Sequence, residues 1–80
     1  MNQETPYFPI GIYRHYKGSL YTVFGLVEHA KLEQPLVLYG SSHPQWVLPL
    51  DDFLETVRVD GQSKLRFELI TVMQMQWKAV

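Results

Sequence analysis

The feature that most constrains the fold is the stretch from Gly11 to Tyr21, which gathers three tyrosines, a histidine, an arginine and a lysine around Lys17-Gly18. Before that dipeptide, β-branched and aromatic residues alternate loosely, and this pattern favours a strand over a helix. Glycine adopts a positive φ without steric penalty, so Lys17-Gly18 predicts a tight turn. The stretch therefore predicts a β-hairpin onto which the rest of the chain packs.

Length, charge and composition limit the class of protein. Eighty residues, 46% of them apolar, suffice for one core but not for two. The absence of cysteine excludes disulfides, thiolate catalysis and cysteine-ligated metal. A net charge of -1 removes the attraction on which non-specific nucleic-acid binding depends, so we expect no nucleic-acid partner. No apolar run approaches the ~20 residues that cross a bilayer, and the polar first residues do not resemble a signal peptide. We therefore expect a cytoplasmic protein without a membrane partner.

Short strands separated by turns are expected along the rest of the chain. The strand from Leu20 to Glu28 is apolar on both faces, and Gly25 is the expected site of a bend. Asp60-Gly61 is a strong hairpin signal. Further strands are expected at 36–39, 45–48, 56–59 and 65–72.

The whole pattern predicts an all-β fold. We expect a small SH3-like barrel of five to six short, strongly bent antiparallel strands. Apolar residues at helical spacing after Pro49 predict one helical or 3-10 turn near residues 50–55. The expected organisation is an N-terminal extension at 1–9, the barrel at 10–72 and a C-terminal strand or tail at 73–80.

Three motifs resemble one known family. They are Gly11-x-Tyr13-Arg14-His15-Tyr16-Lys17-Gly18-x-x-Tyr21, then Trp46-Val-x-Pro49-Leu-x-x-Phe53-Leu-Glu-Thr-Val57, then Asp60-Gly61 with Arg66-Phe67-Glu68. In this order and spacing they are similar to the bacterial domain-of-unknown-function family numbered 1653. The resemblance implies a small SH3-type barrel in a stand-alone bacterial protein, and it implies no activity. Two positions depart from the family's usual pattern: Leu48 replaces an arginine, and Gly40-Ser41-Ser42 replaces a basic or bulky residue.

Aromatic residues with polar tips give the main indication of a function. Tyrosine and tryptophan can bury a ring while exposing a polar group, and both are enriched in binding hot spots. Several such rings along one groove would resemble the peptide-binding face of SH3 barrels. The candidate binding residues are Tyr13, His15, Tyr16, Lys17, Tyr21, Tyr39 and Trp46. They predict a binding module for a peptide or protein, although some of these rings could serve only the core.

Histidines and serines do not form a recognisable site. His15, His29 and His43 lie 14 residues apart, outside the short spacing that positions two metal ligands. The chain has no Gly-x-Ser-x-Gly elbow and no glycine-rich phosphate loop. We therefore predict no metal, no cofactor and no catalytic residue.

Two alternatives from other functional classes remain open. Asp51, Asp52 or Asp60 could serve an acid-dependent aspartic peptidase that acts as a dimer, although such enzymes use an Asp-Thr/Ser-Gly loop that is absent from this sequence. The domain could instead be structural. The alternating segment from Met73 to Trp77 can add a strand to a neighbour, which would make a homodimer through the C-terminal segment.

Overall fold

The computed structural model describes residues 7–41 and 43–77, which contain seven strands and one short helix. In chain order the elements are β1 (Tyr7–His15), β2 (Leu20–Glu28), β3 (Pro35–Gly40), β4 (Gln45–Pro49), α1 (Leu50–Phe53), β5 (Thr56–Val59), β6 (Gln62–Leu65) and β7 (Phe67–Trp77). This confirms the all-β prediction and the helical turn near residues 50–55. In these two ranges, no helix is long and apolar enough to cross a bilayer.

Five of the strands form one antiparallel sheet in the order β4-β3-β2-β1-β7, whereas β5 and β6 pair only with each other. Within the described residues β4 and β7 are edges, so the sheet does not close into the expected barrel. At Asp60 and Gly61, φ angles of 52° and 79° turn the chain back, and β6 pairs with β5. Because β5 and β6 pair with each other and with neither edge, they do not close the sheet, and they bring the number of strands to seven.

The opening hairpin and the bend after it form as predicted. β1 pairs antiparallel with β2, and Gly18 in the turn between them has a φ of 112°. The pairing of β2 with β3 shifts register between Val23 and Gly25. Such a shift marks a β-bulge, which bends a strand, so the bend predicted at Gly25 is present.

The first and last described segments pair with each other. β1 and β7 run antiparallel from the pair Tyr7–Trp77 to the pair His15–Phe67. Residues 7–9 therefore belong to β1, and residues 73–77 form the outer part of β7. Residues 1–6 and 78–80, also assigned to the extension and the tail, lie outside the described residues.

The core lies between one face of the sheet, called the inner face, and helix α1. Its buried residues are Phe8, Tyr13, Val23, Val37, Phe53 and Phe67. Phe53, supplied by α1, is 1% exposed, and its ring stacks on that of Phe67 with 4.2 Å between centroids. It also meets the ring of Tyr13 edge-on at 5.2 Å. The short helix thus covers the inner face with one aromatic side chain.

Candidate functional site

Side chains of the inner face form a group of rings, called the aromatic cluster. Its members are His15, Tyr21, Tyr39, Trp46 and Phe67. Tyr39 lies directly opposite Trp46 in the pairing of β3 with β4. Tyr39 also lies opposite Val23 on β2, and Tyr21 is two residues from Val23. Because alternate residues of a strand point to the same face, these rings from three neighbouring strands share the inner face.

Three rings of the cluster contact one another and remain partly open to solvent. The centroids of Tyr21 and Tyr39 are 5.6 Å apart, and each lies within 5.9 Å of the Trp46 ring. These separations are typical of favourable aromatic pairs. Trp46 is 42% exposed, and both tyrosines are half-buried. The three rings are held in place by packing, yet all three residues stay partly exposed to solvent.

His15 connects the aromatic cluster to the end of the opening hairpin. Its ring centroid lies 5.0 Å from Phe67 and 6.3 Å from Tyr21, both of the cluster. On its other side it lies 4.5 Å from the ring of Tyr16. The histidine is therefore shared by the cluster and by the surface around Tyr16.

The surroundings of His15 favour its neutral form. Burial lowers the pKa of His15 below its ordinary value of 6.5, and the cations Lys17 and Arg66 lower it further. Its Nδ1 accepts a hydrogen bond from the backbone amide of Lys17 at 3.1 Å. A neutral imidazole that accepts at Nδ1 carries its proton on Nε2. His15 can therefore donate one hydrogen bond to a ligand through Nε2.

A cleft of about 410 Å³ opens beside His15, where β1, β6 and β7 meet. Its lining residues are Arg14, His15, Tyr16, Lys64, Leu65 and Glu68. Arg14 and Glu68 are register partners on β1 and β7. In the part of the chain that the structure describes, neither Arg14 nor Lys64 forms an ion pair with a carboxylate. The cleft thus offers two cationic donors and one carboxylate beside aromatic surface.

Arg66 joins the strands around the cleft. Its guanidinium pairs with the carboxylate of Glu55 at 2.9 Å, and its backbone amide donates to the Glu55 carbonyl at 3.0 Å. The carbonyl of Arg66 accepts from the amide of Tyr16 at 2.9 Å. These contacts fix the end of β1 against the residues that flank the β5–β6 hairpin.

The family of this chain follows from comparison with known proteins. The family described as "Protein of unknown function (DUF1653)" matches residues 11–69. The chain belongs to the DUF1653 family. A crystal structure of a DUF1653 protein from Bordetella bronchiseptica is 28% identical to the chain and matches with a TM-score of 0.73, covering 84% of this chain and 92% of that one. None of the curated proteins compared with the chain matches it. The description of DUF1653 names no activity, so the site itself must suggest one.

Six of the seven predicted binding residues lie at or beside this site of the DUF1653 domain. Those in the aromatic cluster are His15, Tyr21, Tyr39 and Trp46. Tyr16 lines the cleft, and the amine of Lys17 lies 5.9 Å from the centroid of the Tyr16 ring. Tyr13 is buried in the core: its hydroxyl donates to the carbonyl of Pro9 at 2.7 Å, and burial raises its pKa to about 12. The structure therefore groups six of these side chains at the cluster and the cleft, and it buries the seventh in the adjoining core.

Four cleft residues were not among the candidates from sequence: Arg14, Lys64, Leu65 and Glu68. The last three come from β6 and β7, and the pairing of β7 with β1 brings them beside Arg14. No short-range pattern carries that information. Arg14 stands in the first DUF1653 motif and Glu68 in the third, and these motifs were the signals available.

Gly40, at the end of β3, lies against the backbone of the β3–β4 connection, and its φ is 151°. A β-carbon there would lie 2.6 Å from the carbonyl oxygen of Pro44 and 3.0 Å from Cα of Gln45. This close approach leaves no room for a side chain at Gly40.

The residues of the catalytic alternative lie away from the cleft lining. Asp51 and Asp52 are exposed on α1, and Asp60 is exposed in the turn between β5 and β6. His29 accepts two backbone amides of its own loop through Nδ1, which is a structural role. Across residues 7–41 and 43–77, no group of three His, Cys, Asp or Glu is close enough to hold a metal ion.

Proposed function

We propose that this DUF1653 domain is a binding module that recognises a segment of a peptide or protein through the aromatic cluster and the adjoining cleft. The observation that carries the proposal is the triangle of Tyr21, Tyr39 and Trp46, which is packed at its base and open at its rim. Rigid aromatic rings lose little conformational entropy when they bind and are frequent hot spots. Such a platform suits an apolar side chain of a partner.

The cleft would supply the polar part of recognition. His15 offers an Nε2 donor, and Arg14 and Lys64 offer cationic donors that no carboxylate of the described chain pairs with. Polar groups placed beside an aromatic surface orient a ligand and reject those that cannot satisfy them. We therefore propose that the partner presents an apolar residue next to hydrogen-bond acceptors.

A protein partner fits the charges better than nucleic acid does. The chain has a net charge of -1, and a carboxylate, Glu68, lies in the cleft itself. A nucleic acid would gain little from counterion release at such a surface. The bacterial source of the structural neighbour and the absence of cysteine support a bacterial, cytoplasmic setting as part of the proposal.

Selection from a random peptide display library, followed by calorimetry, tests the proposal. We expect enriched peptides to bind the wild-type chain and to lose at least about tenfold in affinity, about 1.4 kcal/mol, in Trp46→Ala. Leu54→Ala is the matched control, because Leu54 is an exposed apolar residue directly after α1, outside the cluster. Failure to enrich any peptide, or equal affinity of the two variants, would contradict the proposal.

A further inference from the structure

The two edges of the five-stranded sheet differ in how open they are to another chain. β7 runs for 11 residues, and no strand of the described chain lies on its outer side. An edge strand presents unpaired backbone N–H and C=O groups to its surroundings. The other edge, β4, has only 5 residues, with Pro44 just before it and Pro49 at its end. Since proline lacks an N–H and protects an edge, β7 is the accessible one.

Beyond Glu68, β7 lacks the charges and prolines that usually prevent association at an edge. From Leu69 to Trp77 the sequence contains no charged residue and no proline. The exposed apolar side chains of this stretch are Leu69, Ile70, Val72, Met73 and Met75. Met73 is 67% exposed, more than Leu32 in the β2–β3 loop at 63%. A long, neutral, apolar edge of this kind is typical of a strand that pairs with another chain.

We infer that β7 pairs with β7 of a second copy of this chain, antiparallel about a two-fold axis near Val72. The neutral stretch from Leu69 to Trp77 meets no like charges when it pairs with itself, whereas a charged partner strand would find no opposite charge on it. Residues 69–75 are centred on Val72, so an axis there brings the most exposed apolar side chains into contact.

The unequal edges also explain why association stops at two copies. Contact between two identical edges is isologous and closes after one pairing. The joined sheet keeps only two β4 edges, both short and bounded by proline. Pairing of β7 with β4 of the next copy would instead build an open chain, and the prolines of β4 oppose it.

Two bulges set the strength of the interface. In the pairing of β7 with β1, register shifts leave Ile70 and Met73 without a partner on β1. Bulges interrupt a ladder, so continuous backbone pairing across the axis is short and side-chain packing carries the rest. The area that the two β7 strands bury is then smaller than the roughly 1,600 Å² of a standard protein–protein interface. We therefore expect the dimer to dissociate on dilution. None of this depends on the proposed binding function, because the apolar part of β7 begins after Glu68, the last residue that lines the cleft.

Sedimentation velocity over about a hundredfold range of protein concentration tests the inference by mass action. The wild-type chain should change from monomer to dimer as its concentration rises. Val72→Lys and Val72→Glu should each stay monomeric, because like charges meet at the axis. Their equimolar mixture should dimerise, since the charges are then opposite. Leu32→Lys, at a similarly exposed apolar position away from β7, should behave as the wild type.

Rescue in the mixture also shows that both variants fold. A wild-type chain that stays monomeric over the whole range overturns the inference. The same holds if either Val72 variant dimerises alone as the wild type does, or if the mixture stays monomeric. A Leu32→Lys chain that loses the dimer equally would show that association does not reside in β7.

Discussion

The backbone amide of Lys17 donates a hydrogen bond to Nδ1 of His15 across 3.1 Å, and this bond exists only while Nδ1 is unprotonated. Burial, the stronger influence, and the nearby cations Lys17 and Arg66 also lower the pKa of His15 from 6.5. In acid the unfolded chain therefore takes up a proton that the folded chain resists. The contribution of His15 to stability is complete above pH 6.5 and is lost as pH falls through the lower folded pKa.

Titration of the His15 ring by NMR should give a midpoint below 6.5. Lys17→Gln should raise this midpoint only part of the way, because burial remains when the cation is removed. Lys31→Gln is the control, since Lys31 lies in the β2–β3 loop and is not among the causes of the shift. A wild-type midpoint at or above 6.5, or equal shifts in the two variants, would show that the ring is not held neutral as described.

Removal of the Tyr13 hydroxyl should cost more stability at neutral pH than at alkaline pH. Tyr13→Phe deletes the hydrogen bond to Pro9, which should cost about 1 kcal/mol in the free energy of unfolding at pH 7. The folded pKa of Tyr13 is raised from 10.0 to about 12, so its contribution is present below pH 10 and is lost as pH rises towards 12. The difference between wild type and variant should therefore shrink across that window.

Denaturant unfolding at several pH values measures this difference for Tyr13→Phe. Tyr16→Phe serves as the comparison, because Tyr16 lines the cleft rather than the core. A gap between wild type and Tyr13→Phe that stays constant from neutral pH to pH 12 would contradict the assignment.

Truncation of Phe53 should remove most of the cover over the inner face. Its ring is 1% exposed and stacks on Phe67, so Phe53→Ala leaves a cavity and should cost about 3–5 kcal/mol. Leu54→Ala changes the next residue, which is 56% exposed, and should stay within about 0.5 kcal/mol of wild type. Urea denaturation followed by tryptophan fluorescence compares the two. A similar loss in the free energy of unfolding in both variants would contradict the placement of Phe53 in the core.

Gly11 should tolerate no side chain. A β-carbon there would collide with the carbonyl oxygen of Thr71 and lie 3.0 Å from the amide nitrogen of Met73, both on β7. We expect Gly11→Ala to push β7 away from β1 and to speed amide hydrogen exchange along both strands. Gly18→Ala tests backbone strain alone, because its φ of 112° is unfavourable for alanine while no atom lies within 4 Å of the added carbon. Equal exchange in the two variants would exclude a collision.

Local features of this fold could be predicted from sequence, whereas the open form of the five-stranded sheet could not. The Lys17-Gly18 turn, the bend at Gly25 and the Asp60-Gly61 hairpin each depend on the backbone freedom of one or two residues. Whether a sheet of this length closes depends on contacts between strands far apart in the chain. The β5–β6 hairpin pairs with itself, and no local pattern indicated that it would leave β4 and β7 apart.

The candidate site shows the same limit. His15, Tyr21, Tyr39 and Trp46 were predicted as binding residues by residue type, and the structure places them in one cluster. Tyr13 carries the same chemistry and lies opposite Tyr21 in register, yet its ring packs against Phe8 and Phe53 and is 5% exposed. Residue type identifies an amphipathic ring, and the packing of α1 onto the sheet decides whether that ring is buried or stays partly exposed.

The pairing of β1 with β7 also determines the order in which the domain can be built. Of the described elements β1 comes first in the chain and β7 last, and their register partners are 52 to 70 residues apart. Non-local pairing of this kind slows folding, because the intervening loop must close before its contacts form. Residues 7–10 pair with β7 and not with β2, so during synthesis this part of β1 stays unpaired until β7 has been made.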